Sequence, residues 1–179
     1  MVIYVNILLV ILTSIALSMD AFSLSLAYGL NNIQKKEILI LSFTIGIFHF
    51  FMPVLGLLFG NIILSIIKIR IEVIVFIIFM YIGLSMFKDT FKEDKNTSIK
   101  NVFELFLFAL AVSLDSFSIG IGLKGITNNI FFACISFTFF SAFFTYLGLN
   151  LGNKIYYKLG KTSNILGSLI LVILGLLYL

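Results

Sequence analysis

Charge is what this sequence has least of. Only 11% of its 179 residues are charged, whereas soluble domains carry about 25%. Charged side chains are too few to form the surface of a soluble protein. Most of the outer surface must therefore face lipid. Hydrophobic residues make up 61% of the chain, and a spanning helix needs about 20 apolar residues. The chain therefore has room for six spanning helices and little else.

Other absences narrow the function further. The phosphate-loop pattern G-x-x-x-x-G-K-[ST] does not occur, so we expect no ATP hydrolysis by this chain. The single cysteine, Cys134, cannot form an internal disulfide. The first 30 residues contain no Lys or Arg. They therefore lack the basic region of a cleaved signal peptide, and we expect a retained spanning helix there.

Polar residues divide the chain into six apolar runs. The runs are Val2–Gly29, Ile38–Ile67, Val73–Phe87, Val102–Leu123, Ile130–Leu151 and Ile165–Leu179. The second contains the only proline, Pro53, so we expect a kinked or tilted helix. The third and sixth are short for a full span and need flanking residues. The sequence predicts an all-α membrane protein, with residues 1–179 forming a single transmembrane domain.

Basic residues are distributed unevenly among the connections. One side would carry nine of them: Lys35, Lys36, Lys88, Lys92, Lys95, Lys100, Lys154, Lys158 and Lys161. The other side would carry three: Lys68, Arg70 and Lys124. Because Lys and Arg are enriched in cytoplasmic loops, this pattern predicts that both termini lie outside.

Three patterns occur twice, in the same order. They are Ser18–Leu24 with Ser113–Ile119 at an offset of 95, then Leu55–Asn61 with Leu147–Asn153 and Ile82–Leu84 with Leu174–Leu176, both at an offset of 92. We predict one repeat in residues 1–90, a second in 100–179 and a cytoplasmic linker at 88–101. Because each unit has three helices, an odd number, the second must be inverted. Inverted repeats are typical of transporters that bind their substrate near the midplane.

Two aspartates, Asp20 and Asp115, lie deep in apolar runs and within the repeated pattern. A carboxylate near the bilayer centre costs about 2.5–3.5 kcal/mol, and no Lys or Arg lies at comparable depth. Each Asp could be a protonated group that bonds neighbouring Ser hydroxyls. Alternatively, two carboxylates supply the charge that one divalent cation needs, and their hard oxygens suit manganese, magnesium or calcium.

Three more side chains are candidate ligands. Ser23 and Ser118 follow the aspartates by three residues and share their helix faces. They could donate oxygen ligands or serve only in helix packing. His49, the only histidine, precedes Pro53 by four residues, and the proline leaves the carbonyl of residue 49 without its usual helical donor. His49 suits a metal site or a proton relay, or it is a hydrogen-bonded packing residue.

Two glycine pairs, Gly56 with Gly60 and Gly148 with Gly152, have the small-xxx-small spacing that allows close helix contact. We interpret them, together with Pro53, as helix-packing residues.

The quoted patterns resemble those of the MntP-type manganese efflux pumps of bacteria. Ser18–Phe22, Ser113–Phe117 and the Leu-Gly-x-x-x-Gly pattern before Lys154–Lys161 carry the resemblance, in the same six-helix order across essentially the whole chain. It implies that Asp20 and Asp115 act in transport, with Mn²⁺ as the transported substrate and no permanently bound cofactor. Some members have a glutamate where this chain has His49, so an imidazole replaces a carboxylate here. A related branch is described as sporulation membrane proteins.

The resulting hypothesis is a secondary transporter, not an enzyme, in the bacterial plasma membrane. It exports a divalent cation by alternating access around Asp20 and Asp115, with His49 and nearby Ser oxygens completing the shell and proton or potential coupling. Its expected partners are the metal ion and the lipid bilayer, with a homo-oligomer possible and no nucleic acid. The alternatives are a sporulation-type protein without transport and an exporter of another small solute. An intramembrane aspartyl protease is disfavoured because both motifs read Ser-x-Asp-x-Phe instead of Gly-x-Gly-Asp.

Overall fold

The fold is helical throughout the part of the chain that the computed structural model describes, residues 2–66, 71–91 and 102–177. Its elements are α1 (Val2–Gly29), α2 (Lys35–Ile66), α3 (Ile71–Thr90), α4 (Val102–Ile126), α5 (Ile130–Leu159) and α6 (Lys161–Leu177). No strand occurs within these ranges. The all-α prediction is therefore confirmed. Most of the predicted linker 88–101 lies outside the described residues, as do Lys68 and Arg70.

Four helices are long and apolar enough to cross a membrane. They do so over the stretches Ile7–Gly29, Lys35–Phe59, Phe103–Ile126 and Ile130–Leu159. The apolar stretches of α3 and α6 are shorter, at Val75–Lys88 and Lys161–Leu177. The 17 residues of α6 extend about 25 Å, slightly less than the ~30 Å hydrocarbon core. The chain is a multi-pass membrane protein, and a count of six spans stays a prediction.

The outer surface carries the bulky apolar side chains that lipid contact requires. Phe43, Phe131 and Phe139 each expose more than 60% of their surface. In a soluble protein such a surface would drive aggregation, whereas in a bilayer it meets hydrocarbon chains.

Helix ends differ from the predicted runs where polar residues extend the helices. α2 begins at Lys35, because the Glu37 carboxylate accepts a hydrogen bond from the Gln34 backbone N–H at 2.9 Å and so caps the first turn. The stretch Lys154–Lys161, predicted as a loop, is helical on both sides of a one-residue corner at Gly160. That residue has φ 58°, a conformation that glycine adopts without steric cost.

The helices pack in three main pairs. α1 runs along α5, α2 along α4 and α3 along α6, while α2 also contacts α5. The α3–α6 pair reaches the rest through smaller contacts of α6 with α1 and of α3 with α4.

Glycines bring some of these helices into backbone contact. Gly148 and Gly152 of α5 lie against the α1 backbone at Phe22 and Leu26. On the other side of the bundle, Gly56 of α2 lies against the Phe117 carbonyl of α4. Dispersion contacts of this kind are a main source of helix association in lipid, where no hydrophobic driving force exists between helices.

The buried apolar side chains form two separate clusters. The large cluster joins all six helices and includes Ala21, Ile45, Phe79, Phe108, Leu149 and Leu171. The small cluster contains Val10, Leu17, Leu123, Ala133, Cys134 and Phe137, with further contacts from α2. The two clusters lie at different levels along α1, α2, α4 and α5, so each of these helices passes from one to the other.

A matched pair of glycines tests the packing. An added Cβ at Gly148 would lie 2.6 Å from the Phe22 carbonyl oxygen, whereas one at Gly122 would meet nothing within 4 Å. We expect Gly148→Ala to lower stability by about 1–3 kcal/mol through overpacking. Gly122→Ala should keep or raise it, since alanine favours helix by about 1 kcal/mol. Thermal unfolding of the purified variants in one detergent measures both. Equal melting temperatures for the two variants would contradict this account of the α1–α5 contact.

Candidate functional site

Each aspartate lies at the boundary between the two apolar clusters. On α1, Leu17 belongs to the small cluster and Ala21 to the large one, with Asp20 between them. On α4, Val112 belongs to the large cluster and Leu123 to the small one. Asp115 lies between these two. The equivalent residues of the two repeated motifs therefore occupy the same level of the bundle.

The boundary is polar on α2 and α5 as well. His49 lies between Ile45 of the large cluster and Val54, which packs on the small one. On α5, the buried polar residues Ser141 and Thr145 lie between Phe137 and Leu149. We call the whole set the polar layer: Ser18, Asp20, His49, Ser113, Asp115, Ser116, Ser141 and Thr145. A polar layer between two apolar clusters is where a charged substrate can be held inside a membrane.

The two carboxyl groups interact with each other. Asp20 and Asp115 are both partly buried, and they lie close enough for their like charges to repel. The Asp115 Oδ1 accepts a hydrogen bond from the Ser116 backbone N–H at 2.7 Å and a longer one, 3.4 Å, from the Ser116 hydroxyl. These donors fix one oxygen of Asp115, and the repulsion between the pair favours a cation near both.

The two serines chosen from the sequence lie beside the polar layer. Ser23 and Ser118 are both exposed, and the Ser23 hydroxyl donates to the Met19 carbonyl at 3.0 Å. Ser116 is the hydroxyl that reaches Asp115. Comparing the repeats favoured Ser23 and Ser118 because both copies have them. It missed Ser116, whose counterpart in the first repeat is Ala21.

His49 presents one ring nitrogen to the layer. The side chain is completely buried, and its Nδ1 lies 2.9 Å from the Ile45 carbonyl oxygen. A carbonyl only accepts, so Nδ1 carries the proton and Nε2 keeps its lone pair. Among the described residues, Nε2 has no hydrogen-bond partner. Metal-binding histidines have this arrangement, in which one nitrogen is held by a carbonyl and the other is free for a ligand.

Hydroxyl groups line the same level on α1 and α5. The Ser18 and Ser141 oxygens lie 3.4 Å apart and join the two helices. Nearby, Ser25 Oγ and Thr145 Oγ1 are buried without a hydrogen-bond partner in the described part of the chain. A buried polar group left unpaired costs about 1–3 kcal/mol, and a polar ligand beside Thr145 would offset that cost.

The atoms of the polar layer that could bind a metal ion are mostly oxygens. Within the ranges that the structure describes, no three His, Cys, Asp or Glu side chains come together closely enough to hold a metal ion. The charged metal ligands available in the polar layer are the two carboxylates, and hydroxyl oxygens and water can complete the coordination. Hard cations bind such oxygen sets. The soft donor Cys134 is buried in the small cluster, away from the polar layer.

Comparison with known proteins gives one consistent family. The family model described as "Putative manganese efflux pump" matches residues 32–179. Proteins named "Putative manganese efflux pump MntP" from Bacillus pumilus and Oceanobacillus iheyensis are 36% and 37% identical, over 162 and 172 residues. The alignments cover 90% and 96% of this chain, and 88% and 94% of those proteins.

The similarity extends beyond the bacilli. A relative of the same name from Methanosphaera stadtmanae is 35% identical over 170 residues, which is 93% of this chain and 94% of that protein. No solved structure matches this chain. With a family model and full-length relatives aligned over nearly all of its helices, this chain belongs to the MntP family.

Proposed function

We propose that this protein is a secondary transporter that exports manganese(II), and that Asp20 and Asp115 bind the ion in transit. The observation that carries the proposal is the pair of carboxyl groups, Asp20 on α1 and Asp115 on α4, at the boundary between the two apolar clusters. Their combined charge of −2 balances one divalent cation. The relatives aligned with this chain are named for manganese efflux, and manganese accepts the carboxylate and hydroxyl oxygens present here.

The proposal includes two inverted repeats, and the helix contacts support them. Gly148 lies against the Phe22 carbonyl, and Gly56 lies against the Phe117 carbonyl. Gly148 is 92 residues after Gly56, and Phe117 is 95 after Phe22. The α1–α5 contact therefore has an equivalent in α2–α4, as an exchange of the two halves requires.

The α3–α6 pair has the same property. Gly83 of α3 lies against Ser168 and Val172 of α6. In return, Gly175 of α6 lies against residues 76 and 80 of α3, and each of these positions is 92 residues from its counterpart. When the exchange of the two repeats converts the contacts of a helix pair into one another, that pair lies on the two-fold axis that relates the repeats. Such an axis lies in the membrane plane when the repeats have three helices each.

Export follows if the α1–α5 pair and the α2–α4 pair rock against each other around the aspartate pair. Moving a divalent ion outward against 100 mV, inside negative, costs about 4.6 kcal/mol, twice the ~2.3 kcal/mol per charge. We propose that inward proton flow supplies this energy. The same carboxylates release the metal outside, take up protons there and release them to the cytoplasm before the next ion binds.

His49 is the proposed third donor. Its buried Nε2 keeps a lone pair at the level of the aspartates. An imidazole nitrogen binds transition metals well and magnesium or calcium poorly. Once the helices rearrange around an ion, His49 would favour manganese over the more abundant hard cations.

The aspartates provide the first test. Asp20→Asn and Asp115→Asn should each reduce manganese export about 30-fold or more, because loss of one charged partner at a buried site costs at least about 2 kcal/mol. Asp94→Asn, in the linker predicted from the sequence, is the matched control and should export normally. Manganese content and growth of manganese-sensitive cells that express equal amounts of each protein measure the effect.

The outcome also separates the alternatives. Full manganese tolerance in both aspartate variants would reject the binding site. Wild-type protein that gives no tolerance at all would favour a membrane protein without transport activity or an exporter of another solute.

A second test concerns His49. His49→Leu should raise the apparent KM for manganese by about tenfold or more, the scale of losses in metal affinity when a supporting group is removed. It should also weaken the preference for manganese over magnesium in competition assays. Cys134→Ala removes a buried soft donor outside the polar layer and should change neither quantity. An unchanged KM and selectivity in His49→Leu would leave His49 as a packing residue.

A third test concerns orientation, which we propose from the basic residues of the sequence. Alkaline phosphatase, active only outside the cytoplasm, should be active when it is fused after Leu179. Green fluorescent protein fused there should be dark when exported by the general secretion pathway. Activity of phosphatase fused within residues 92–100 instead would reverse the orientation.

A further inference from the structure

The turn between α1 and α2 is held by a side chain of α5. The Asn153 Nδ2 donates to the Ile33 carbonyl at 2.9 Å, and its Oδ1 accepts from the Ile33 N–H at 3.5 Å. One side chain thus pairs with both backbone groups of a single turn residue. Asn153 and Ile33 are both buried, so the contact excludes solvent.

A side chain at the α5–α6 corner holds the same turn. The Ser163 hydroxyl lies 2.9 Å from the Leu30 carbonyl oxygen and 2.7 Å from that of Gly160. One helical turn further along α6, Gly167 lies against the Ala27 carbonyl. We call the contacts of Asn153 and Ser163 with Leu30–Ile33 the latch. It joins the end of α1 in one repeat to α5 and α6 of the other.

At the opposite end of the bundle, the residue equivalent to Asn153 is Asn61, whose side chain lies outside the described part of the chain. The α4–α5 turn is the counterpart of the α1–α2 turn in the second repeat. Within the described part of the chain its hydrogen bonds are local, such as Asn129 N–H to Thr127 Oγ1 at 3.0 Å and Phe132 N–H to Asn129 Oδ1 at 3.1 Å. Gly122 is exposed, whereas its repeat counterpart, Ala27, is 1% exposed. Equivalent positions on α1 and α4 are therefore covered at one end and uncovered at the other.

We infer that the latch is a gate that closes one end of the ion path. The structure is then the state in which the end near Ala27 is shut and the end near Gly122 is accessible. This inference rests on the proposed function, because it needs two repeats that exchange conformations. In the orientation proposed above, the latched end is cytoplasmic. The latch must therefore release before the polar layer can take up an ion from the cell.

Two buried amides show that the closed state leaves polar groups unpaired. Asn31 Nδ2 and Asn164 Oδ1 lie in the latched turn and in the first turn of α6. Neither has a hydrogen-bond partner among the described residues. Opening would expose both to water, which offsets part of the loss of the latch hydrogen bonds. Because opening gains hydrogen bonds to water as it loses the hydrogen bonds of the latch, the latch can open and close. A closed state with every polar group paired would keep this end shut.

Cysteine accessibility tests the gate without any transport measurement. In a Cys134→Ala background, which removes the single cysteine of the chain, Ala27→Cys and Gly122→Cys report the two ends. With purified protein in nanodiscs, both faces are open to a hydrophilic maleimide. We expect Gly122→Cys to react quickly and Ala27→Cys slowly. Comparable rates at the two positions would overturn the inference, because neither end would then be selectively closed.

Opening the latch should change the slow position. Asn153→Ala combined with Ser163→Ala should raise the Ala27→Cys reaction rate about tenfold or more, because the loss of several net hydrogen bonds shifts a two-state equilibrium that far. The matched control is Asn150→Ala with Ser168→Ala. In the described part of the chain the side chains of these residues donate within their own helices, to Tyr146 and Ile165, and their loss should leave the rate unchanged.

The result separates the gate from the transport proposal. An unchanged Ala27→Cys rate in the latch variant, with a size-exclusion profile like that of the control, would overturn the gate even if manganese export stands. A raised rate that persists with Asp20→Asn would support the gate whether or not manganese is the substrate.

Discussion

Two carboxyl groups have to be kept inside a bilayer, and the rest of the fold follows from that constraint. Asp20 and Asp115 lie near each other at one level of the bundle, and a charge on either one costs free energy at this depth. The bundle meets the constraint by separating its apolar side chains into two clusters and leaving a polar level between them. Hydroxyls of three helices and the imidazole of His49 occupy that level. A cation bound between the carboxylates, as proposed, would offset that cost.

The helix contacts determine which parts of such a bundle can move. Gly148 and Gly56 bring backbones together at equivalent places in the two halves. Close backbone contact makes α1 with α5, and α2 with α4, stiff units. Each unit combines a helix of one repeat with a helix of the other. In the proposed cycle, rocking would move Asp20 and Asp115 as parts of different units and so change their separation and their access to water.

The latch lies at the end of the bundle where the two repeats differ in exposure. The two repeats are similar in sequence, yet Ala27 is covered and Gly122 is not. In the proposed cycle the two repeats exchange conformations, and the exposures of these two positions exchange with them. Side-chain hydrogen bonds such as those of Asn153 and Ser163 are small enough to break and re-form between the two conformations. Alternating access needs a balance of this kind, since a deep minimum on one side would stop the cycle.

Composition and repetition by themselves determined the membrane class, the helical fold and the two aspartates, because in lipid a backbone must satisfy its own hydrogen bonds and a buried charge needs a reason. Helix ends such as the Gly160 corner could not be predicted well, since lysines read as loop residues also extend helices by snorkelling. Which hydroxyl meets a carboxylate depends on local helix geometry, and only the structure shows it. Ser116 reaches Asp115 through its position beside it, while Ser23 turns back to its own helix. The tertiary structure alone showed the latch, because contacts between residues 120 or more positions apart depend on how the helices pack and leave no local signal in the sequence.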